Sequence, residues 1–142
     1  MKKKFRLSTS SSGQSLVELA ISITILVYLL SGAVEFGIAF FQFVQLRDAA
    51  QEGALYGSLN PTDTAGITAR VQGQSDTPID LTTITPAITY TDSNPQCEGK
   101  GITVTLSYNH QIFMPFIPEF IGSNTIPLTA IVTDAILTPV CP

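Results

Sequence analysis

The feature that most constrains this chain is a long, apolar, proline-free stretch near its start. From Leu16 to Val44 the sequence is strongly apolar, and no charged residue occurs between Leu19 and Val34. An α-helix rises about 1.5 Å per residue, so about 20 residues cross the roughly 30 Å hydrocarbon core of a bilayer. We therefore predict a membrane-spanning helix over about residues 19–38.

The same helix is predicted to continue beyond the membrane, because all nine prolines lie at or after Pro61. In its second half small residues recur at helical spacing, among them Ala49, Gly53 and Gly57. A glycine inside a helix costs about 1 kcal/mol relative to alanine, so these glycines need a packing reason. Two reasons are compatible with each other: docking on the chain's own C-terminal domain, and close contact with a helix of another subunit.

The charges are distributed unevenly. Four of the seven basic residues lie in the first six positions, and all eleven acidic residues follow later. The positive-inside rule then places the N-terminus in the cytoplasm and the C-terminal region outside. Because the chain after Gly13 has three basic and eleven acidic residues, it is a poor ligand for polyanions. Nucleic acid is therefore excluded as a partner.

Glu18 lies where the apolar stretch begins, and a carboxylate at such a place needs a partner. No lysine or arginine lies within one helical turn on its C-terminal side. If the chain were cut after Gly13, the new α-amine of Gln14 would lie one turn before Glu18. That amine would be positively charged at neutral pH, since its pKa is about 7.7.

The segment Gly13-Gln-Ser-Leu-Val-Glu18 resembles the recognition site of prepilin peptidases, with a basic leader before it and an apolar helix after it. Together with Glu35-Phe-Gly37 and the small residues of Ala49–Gly57, it is most similar to the TadE-like pseudopilins of tight-adherence (Flp, type IVb) pilus systems. Many members of that family have aspartate at the position of Glu35, which is a conservative difference.

The resemblance implies a minor pilin or pseudopilin, a structural or assembly component of a pilus. A prepilin peptidase would remove the leader 1–13, and Gln14 would then be N-methylated. The helix 14–59 would remain in the inner membrane as a single span until it is drawn into a filament. There the Glu18 carboxylate would neutralise the α-amine of a neighbouring subunit and set the axial register. The implied partners are other pilin subunits, the prepilin peptidase, the assembly platform in the membrane and the lipid bilayer.

A second interpretation of the N-terminus remains open. Ser31-Gly-Ala33 has small residues at the −3 and −1 positions of a signal peptidase I site, and residues 19–30 are a plausible hydrophobic region. Cleavage there would release a secreted domain, whereas no cleavage would leave a membrane-anchored adapter. Against secretion, the apolar character continues past the site, and an acidic residue precedes the hydrophobic region.

Glu35 is predicted to lie near the headgroups on the far side of the membrane. Two alternatives fit that position: a solvated carboxylate at the interface, or a polar contact between subunits. Glu35 is therefore one of the candidate subunit-packing residues, with Glu18, Ala49, Gly53 and Gly57.

Residues 60–142 form the second predicted part, a β-rich domain outside the cytoplasm. This part is rich in threonine and isoleucine and contains every proline, which favours strands and turns. A short helix is predicted over Asp63–Gly73, with Thr62 or Asp63 as its N-cap.

Three strands are predicted from alternating apolar and polar residues. The clearest is Gly101–Asn109, Ile126–Val132 repeats the pattern, and residues 84–91 form an edge strand because they contain Pro86. The fold class is therefore α+β: a three-stranded antiparallel sheet covered by the extramembrane half of the long helix.

Cys97 and Cys141 are the two cysteines, and both lie after the predicted span. An exported location favours their oxidation to a disulfide. Such a bond would close a loop of about 45 residues and contribute about 4 kcal/mol in the chain-entropy model. Two free thiols are the alternative. A metal site is not expected, because two distant cysteines and the single His110 lack ligand spacing.

The segment Gln111–Ile121 is unusually apolar for a connection between strands. Since loops are normally polar, this one either packs back on the domain or contacts a partner such as a subunit or the envelope.

No motif for catalysis is present in the sequence. It has one histidine and lacks a G-x-S-x-G elbow, a P-loop and a G-x-G-x-x-G fingerprint. We expect neither enzymatic activity nor a cofactor.

Overall fold

The computed structural model describes residues 11–76, 78–92, 97–115 and 117–138. Most of the predicted leader and Cys141 therefore lie outside the described residues. The chain divides into two compact units, Met1–Val34 and Glu35–Pro142. One long helix, α1 (Ser11–Leu59), contributes residues to both units.

In the first unit, the described residues all belong to α1. Their apolar side chains are exposed and point outward all around the helix, as expected of a segment that is surrounded by lipid. Within the described residues, α1 is the one helix long and apolar enough to cross a membrane. The exposed apolar residues include Leu16, Val17, Leu19, Ile21, Ile23, Ile25, Leu26, Val27, Leu29, Leu30 and Val34.

The second unit contains a three-stranded antiparallel sheet in the order β1-β2-β3, with β1 at Ala87–Tyr90, β2 at Gly101–Gln111 and β3 at Thr125–Ala135. The central strand β2 pairs with β3 along its whole length, and with β1 only through its first half. Pro86 precedes the short edge strand β1, which suits a residue that cannot donate a backbone hydrogen bond. The predicted meander is confirmed.

Three short helical segments complete the second unit: α2 (Thr64–Gln72), a 3-10 turn at Leu81–Thr83, and α3 (Ile117–Ile121). The predicted helix near residue 63 is confirmed in α2, whose N-cap is Asp63. The 3-10 turn and α3 were not predicted from the sequence.

The core of the second unit lies between α1 and the sheet. One face of α1 is fully buried against α2 and the inward side of β2, so the predicted α+β arrangement of a helix packed on a sheet is confirmed. The core includes Leu46, Ala49, Ala50 and Ala54 of α1, Ile67 and Val71 of α2, and Ile102, Val104 and Leu106 of β2.

The glycines of α1 allow a close approach to the rest of the core. A Cβ atom added at Gly53 would lie 2.6 Å from Cγ2 of Val71, and one added at Gly57 would lie 2.5 Å from Cδ1 of Ile102. Even an alanine side chain therefore does not fit at either position unless these neighbours move. Of the two packing reasons given above, docking on the chain's own domain is the one observed; contact of Ala49 and these glycines with another subunit stays a prediction.

The end of α1 is hydrogen-bonded to the segment that follows β3. The backbone N–H of Leu137 donates to the carbonyl of Ser58 over 2.8 Å, and the hydroxyl of Thr138 donates to the carbonyl of Leu59 over 2.7 Å. These bonds give partners to two of the carbonyl groups that a helix end leaves unpaired.

The N-cap of α2 gives a pH-dependent prediction. The pKa of Asp63 is lowered, mainly because its carboxylate accepts from the N–H of Gly66 and also from the hydroxyl of Tyr56. Its stabilising effect is therefore present above the ordinary aspartate pKa of about 3.9 and is lost as the pH falls through the lower folded value. We expect D63N to be less stable than the wild type near neutral pH, and the difference to shrink on acidification. Unfolding of both proteins in detergent at several pH values measures this; a pH-independent difference would contradict it.

Candidate functional site

Three polar side chains meet inside the second unit, at the end of the sheet near the start of its α1 segment. Glu35 and Gln42 are seven residues apart on α1, so they lie on the same helix face. His110 lies near the end of β2, on the inward face that Val104 and Leu106 also occupy. We refer to Glu35, Gln42 and His110 as the histidine cluster.

The histidine cluster is held by two short hydrogen bonds. Nε2 of His110 lies 2.8 Å from Oε1 of Glu35, and Nδ1 lies 2.6 Å from Oε1 of Gln42. His110 is fully buried, and the side chain of Glu35 is 13% exposed. Both ring nitrogens are therefore paired in a site that water hardly reaches, which makes each bond costly to break.

Glu35 also holds the beginning of the connection after β2. Its Oε1 accepts a hydrogen bond of 3.1 Å from the backbone N–H of Phe113. The ring of Phe113 lies edge-on to the His110 ring, with 6.5 Å between the centroids. The carboxylate thus links α1, the end of β2 and the segment that follows β2.

The cluster can satisfy His110 in either protonation state. As an imidazolium, His110 donates to Glu35 and to the amide oxygen of Gln42. As a neutral ring it still donates from Nε2 to Glu35, while Gln42 turns its amide and donates to Nδ1. Because every ring nitrogen is occupied, the cluster positions structural elements and presents no base to a substrate.

The structure corrects the expectation that Glu35 is a solvated carboxylate, because its side chain is nearly buried and accepts two intramolecular hydrogen bonds. Its contact with another subunit stays a prediction. Two signals in the sequence point to the cluster: the spacing of seven between Glu35 and Gln42 in an apolar helix, and the alternation along β2 that turns His110 inward. The role of His110 in this cluster was not predicted from the sequence.

The predicted processing residues lie at the start of α1, in the first unit. Gly13, Gln14 and Glu18 are all exposed. The neighbours of Glu18 along the helix are exposed apolar residues, Val17 and Leu19 among them. An exposed carboxylate within such a surface costs free energy in lipid unless a positive charge accompanies it.

The family model described as TadE-like protein matches residues 13–55. Residues 13–55 are similar to TadE-like proteins. The match begins at Gly13 and includes Glu18, Glu35 and Gln42, so the resemblance predicted from the sequence is confirmed over this range. Comparisons with curated proteins and with solved structures found no match.

Within the described residues, no group of three or more histidine, cysteine, aspartate or glutamate side chains could hold a metal ion. The TadE-like segment contributes two members of the histidine cluster, and the remaining member comes from the β domain.

Cys97, outside the TadE-like segment, is almost completely buried, and no free cysteine occurs in the part of the chain that the structure describes. Cys141 lies outside the described residues. The disulfide between the two cysteines stays a prediction.

The apolar connection after β2 packs back on the domain in part, and its contact with a partner stays a prediction. Met114 is buried against the domain, whereas Phe113 and Ile121 are exposed. The connection therefore packs back through part of its length and presents apolar side chains to its surroundings through the rest.

Proposed function

We propose that this protein is a minor pilin or pseudopilin of a Tad (Flp) pilus. A prepilin peptidase cuts after Gly13, the TadE-like helix holds the chain in the inner membrane as a single span, and the β-rich domain lies outside the cytoplasm. The helix then enters a filament or an assembly complex with other pilin subunits, on the assembly platform of the membrane.

The observation that carries this proposal is the position of Glu18 in the TadE-like segment. Glu18 is an exposed carboxylate among exposed apolar side chains, four residues after Gln14. Cleavage after Gly13 creates a positively charged α-amine on each subunit. In a bundle of helices without water, one axial register pairs that amine with Glu18 of a neighbour, and other registers leave a charge unpaired. Glu18 in this way selects the register.

A second candidate function, a secreted or membrane-anchored binding domain outside any filament, is favoured by one observation. The boundary between the two compact units lies between Val34 and Glu35, one residue after the cut that follows Ala33. Such a product begins at Val34 and retains Glu35, Gln42 and the whole core-forming part of α1.

The mature N-terminus distinguishes these functions. We expect mass spectrometry of the protein from its native membrane to find Gln14 as the first residue, with the mass of one added methyl group. A first residue of Val34 supports the secreted domain instead, and an intact Met1 supports a plain membrane anchor.

Replacing Glu18 gives the functional prediction. We expect E18A to be cut after Gly13 but to lose assembled filaments, since no carboxylate remains to pair with the α-amine of a neighbour. E18D, which keeps the charge, retains part of the assembly. Sheared filaments quantified by immunoblot, together with the mass of the processed chain, measure both steps.

The matched control for E18A is E52A, since Glu52 is a carboxylate on the same helix with only a partly exposed ion pair to Arg70, 3.7 Å away. E52A is expected to assemble normally. Normal filament amounts from processed E18A would rule out the register mechanism.

A further inference from the structure

Exposed phenylalanines surround the start of the α1 segment in the second unit. Phe36, Phe40 and Phe41 lie on the sides of α1 that do not face the core, and Phe113 follows β2. We call these four residues the phenylalanine patch. Phe36 is 72% exposed and Phe113 is 75% exposed. A folded domain surrounded only by water rarely leaves so many large aromatic side chains together on its surface.

The hydrogen bond between Phe113 and Glu35 fixes the level of the patch along α1. Because the N–H of Phe113 lies 3.1 Å from the Glu35 carboxylate, the Phe113 backbone is beside the turn that carries Phe36. That turn belongs to the last part of the predicted span, which ends at about residue 38. The β domain therefore brings its own apolar residue to the depth at which the span ends.

The polar side chains of the histidine cluster and the N–H of Phe113 are paired within the protein. Glu35 accepts from His110 and from the N–H of Phe113, and the second nitrogen of His110 is paired with Gln42. Near hydrocarbon, an unpaired polar group costs several kcal/mol, so internal pairing is what contact with lipid requires. A loop in water needs no such arrangement, because water would satisfy its backbone.

We propose that the connection after β2 is a second membrane contact. Phe113 and Ile121 insert into the bilayer leaflet that faces the β-rich domain, next to the exposed phenylalanines of α1. The proposal rests on the membrane anchoring stated under the proposed function. The histidine cluster then holds the connection at the bilayer surface, through the hydrogen bond from the N–H of Phe113 to Glu35. Burying a phenylalanine side chain in the leaflet removes its apolar surface from water, which is favourable.

The absence of tryptophan from the sequence permits a direct test with single-tryptophan variants of the full chain. F36W, F113W and L137W are each reconstituted in phosphatidylcholine vesicles whose acyl chains are brominated close to the headgroups. Leu137 is the control: it is 55% exposed, and its N–H is bonded to Ser58, about 35 Å along α1 from Glu35. We expect bromine to remove most of the fluorescence of F36W and F113W and to leave that of L137W unchanged.

The other outcomes overturn the proposal in distinguishable ways. If F36W is quenched and F113W is not, α1 is anchored in the membrane but the second contact is refuted, because the connection then faces water or another subunit. Quenching of none of the three refutes both the anchor and the second contact. Quenching of all three shows that the contact is not confined to this end of the domain. Should F113W fail to reach the wild-type thermal midpoint, I121W, in the same connection, replaces it with the same expectations.

Discussion

Replacing Glu35 with alanine is expected to lower the free energy of unfolding by about 1–3 kcal/mol, the cost of leaving a buried donor without its acceptor. The substitution leaves Nε2 of His110 and the N–H of Phe113 without their acceptor. Water does not replace the lost acceptor of Nε2 without cost, since His110 is fully buried. The effect should also be local: the connection after β2 loses its bond to α1 and becomes sensitive to protease.

The measurement is denaturant unfolding of the full chain in a mild detergent, with limited proteolysis of the folded state. E52A is again the control, because it removes an exposed ion pair and should cost less than about 1 kcal/mol. Equal stability of E35A and E52A would show that the histidine cluster contributes no more than a surface ion pair.

A double variant separates two contributions to the lost stability: the missing hydrogen bond itself, and the cost of burying a polar group without a partner. In E35L/H110L both members of the hydrogen-bonded pair are replaced by apolar side chains, so neither is left unpaired. We expect this variant to recover part of the stability that E35L loses alone, since replacing both partners of a buried hydrogen bond by apolar groups is often nearly neutral. No recovery would mean that the single substitution acts through altered packing.

Replacing Gly53 with valine is expected to destabilise the protein by about 3 kcal/mol through overpacking. A Cβ atom at this position already comes within 2.6 Å of Cγ2 of Val71, and valine adds two further methyl groups. Val71 is β-branched and buried, so it cannot turn away at low cost. The helix propensity of valine exceeds that of glycine by only a few tenths of a kcal/mol, which does not offset the clash.

Two further variants test whether the clash is the cause. G37A adds a methyl group to α1 where nothing lies within 4 Å, so its stability should be unchanged or higher by up to about 1 kcal/mol. In G53V/V71A the smaller residue on α2 makes room, and part of the lost stability should return. The same detergent unfolding assay applies, and a stable G53V protein would contradict the packing that we describe.

Local patterns predicted much of the fold. The alternation of Ile102, Val104 and Leu106 with hydroxyl residues predicted β2 and its inward face, and Pro86 predicted an edge strand. Asp63 predicted the start of α2, since its side chain can cap a helix. Such features depend on residues close together in the chain, so the sequence displays them directly.

The histidine cluster could not be predicted in the same way. Its hydrogen bonds join residues 68 and 75 positions apart, and each residue has an ordinary alternative: Glu35 a solvated surface position, and His110 a place at the end of a strand. Only the packing of α1 on β2 brings them together. This packing also excludes water from the cluster, so that losing one of its hydrogen bonds costs more free energy than it would at the surface.

The hydrogen bond between Thr138 and Leu59 has a practical consequence for imaging the protein in cells. A fluorescent reporter fused after Thr138 starts beside the last turn of α1, about 36 Å along the helix from Glu35. That distance exceeds the radius of a small reporter domain, so the label should clear the phenylalanine patch. A tag inserted after Phe113, by contrast, would be built directly into it.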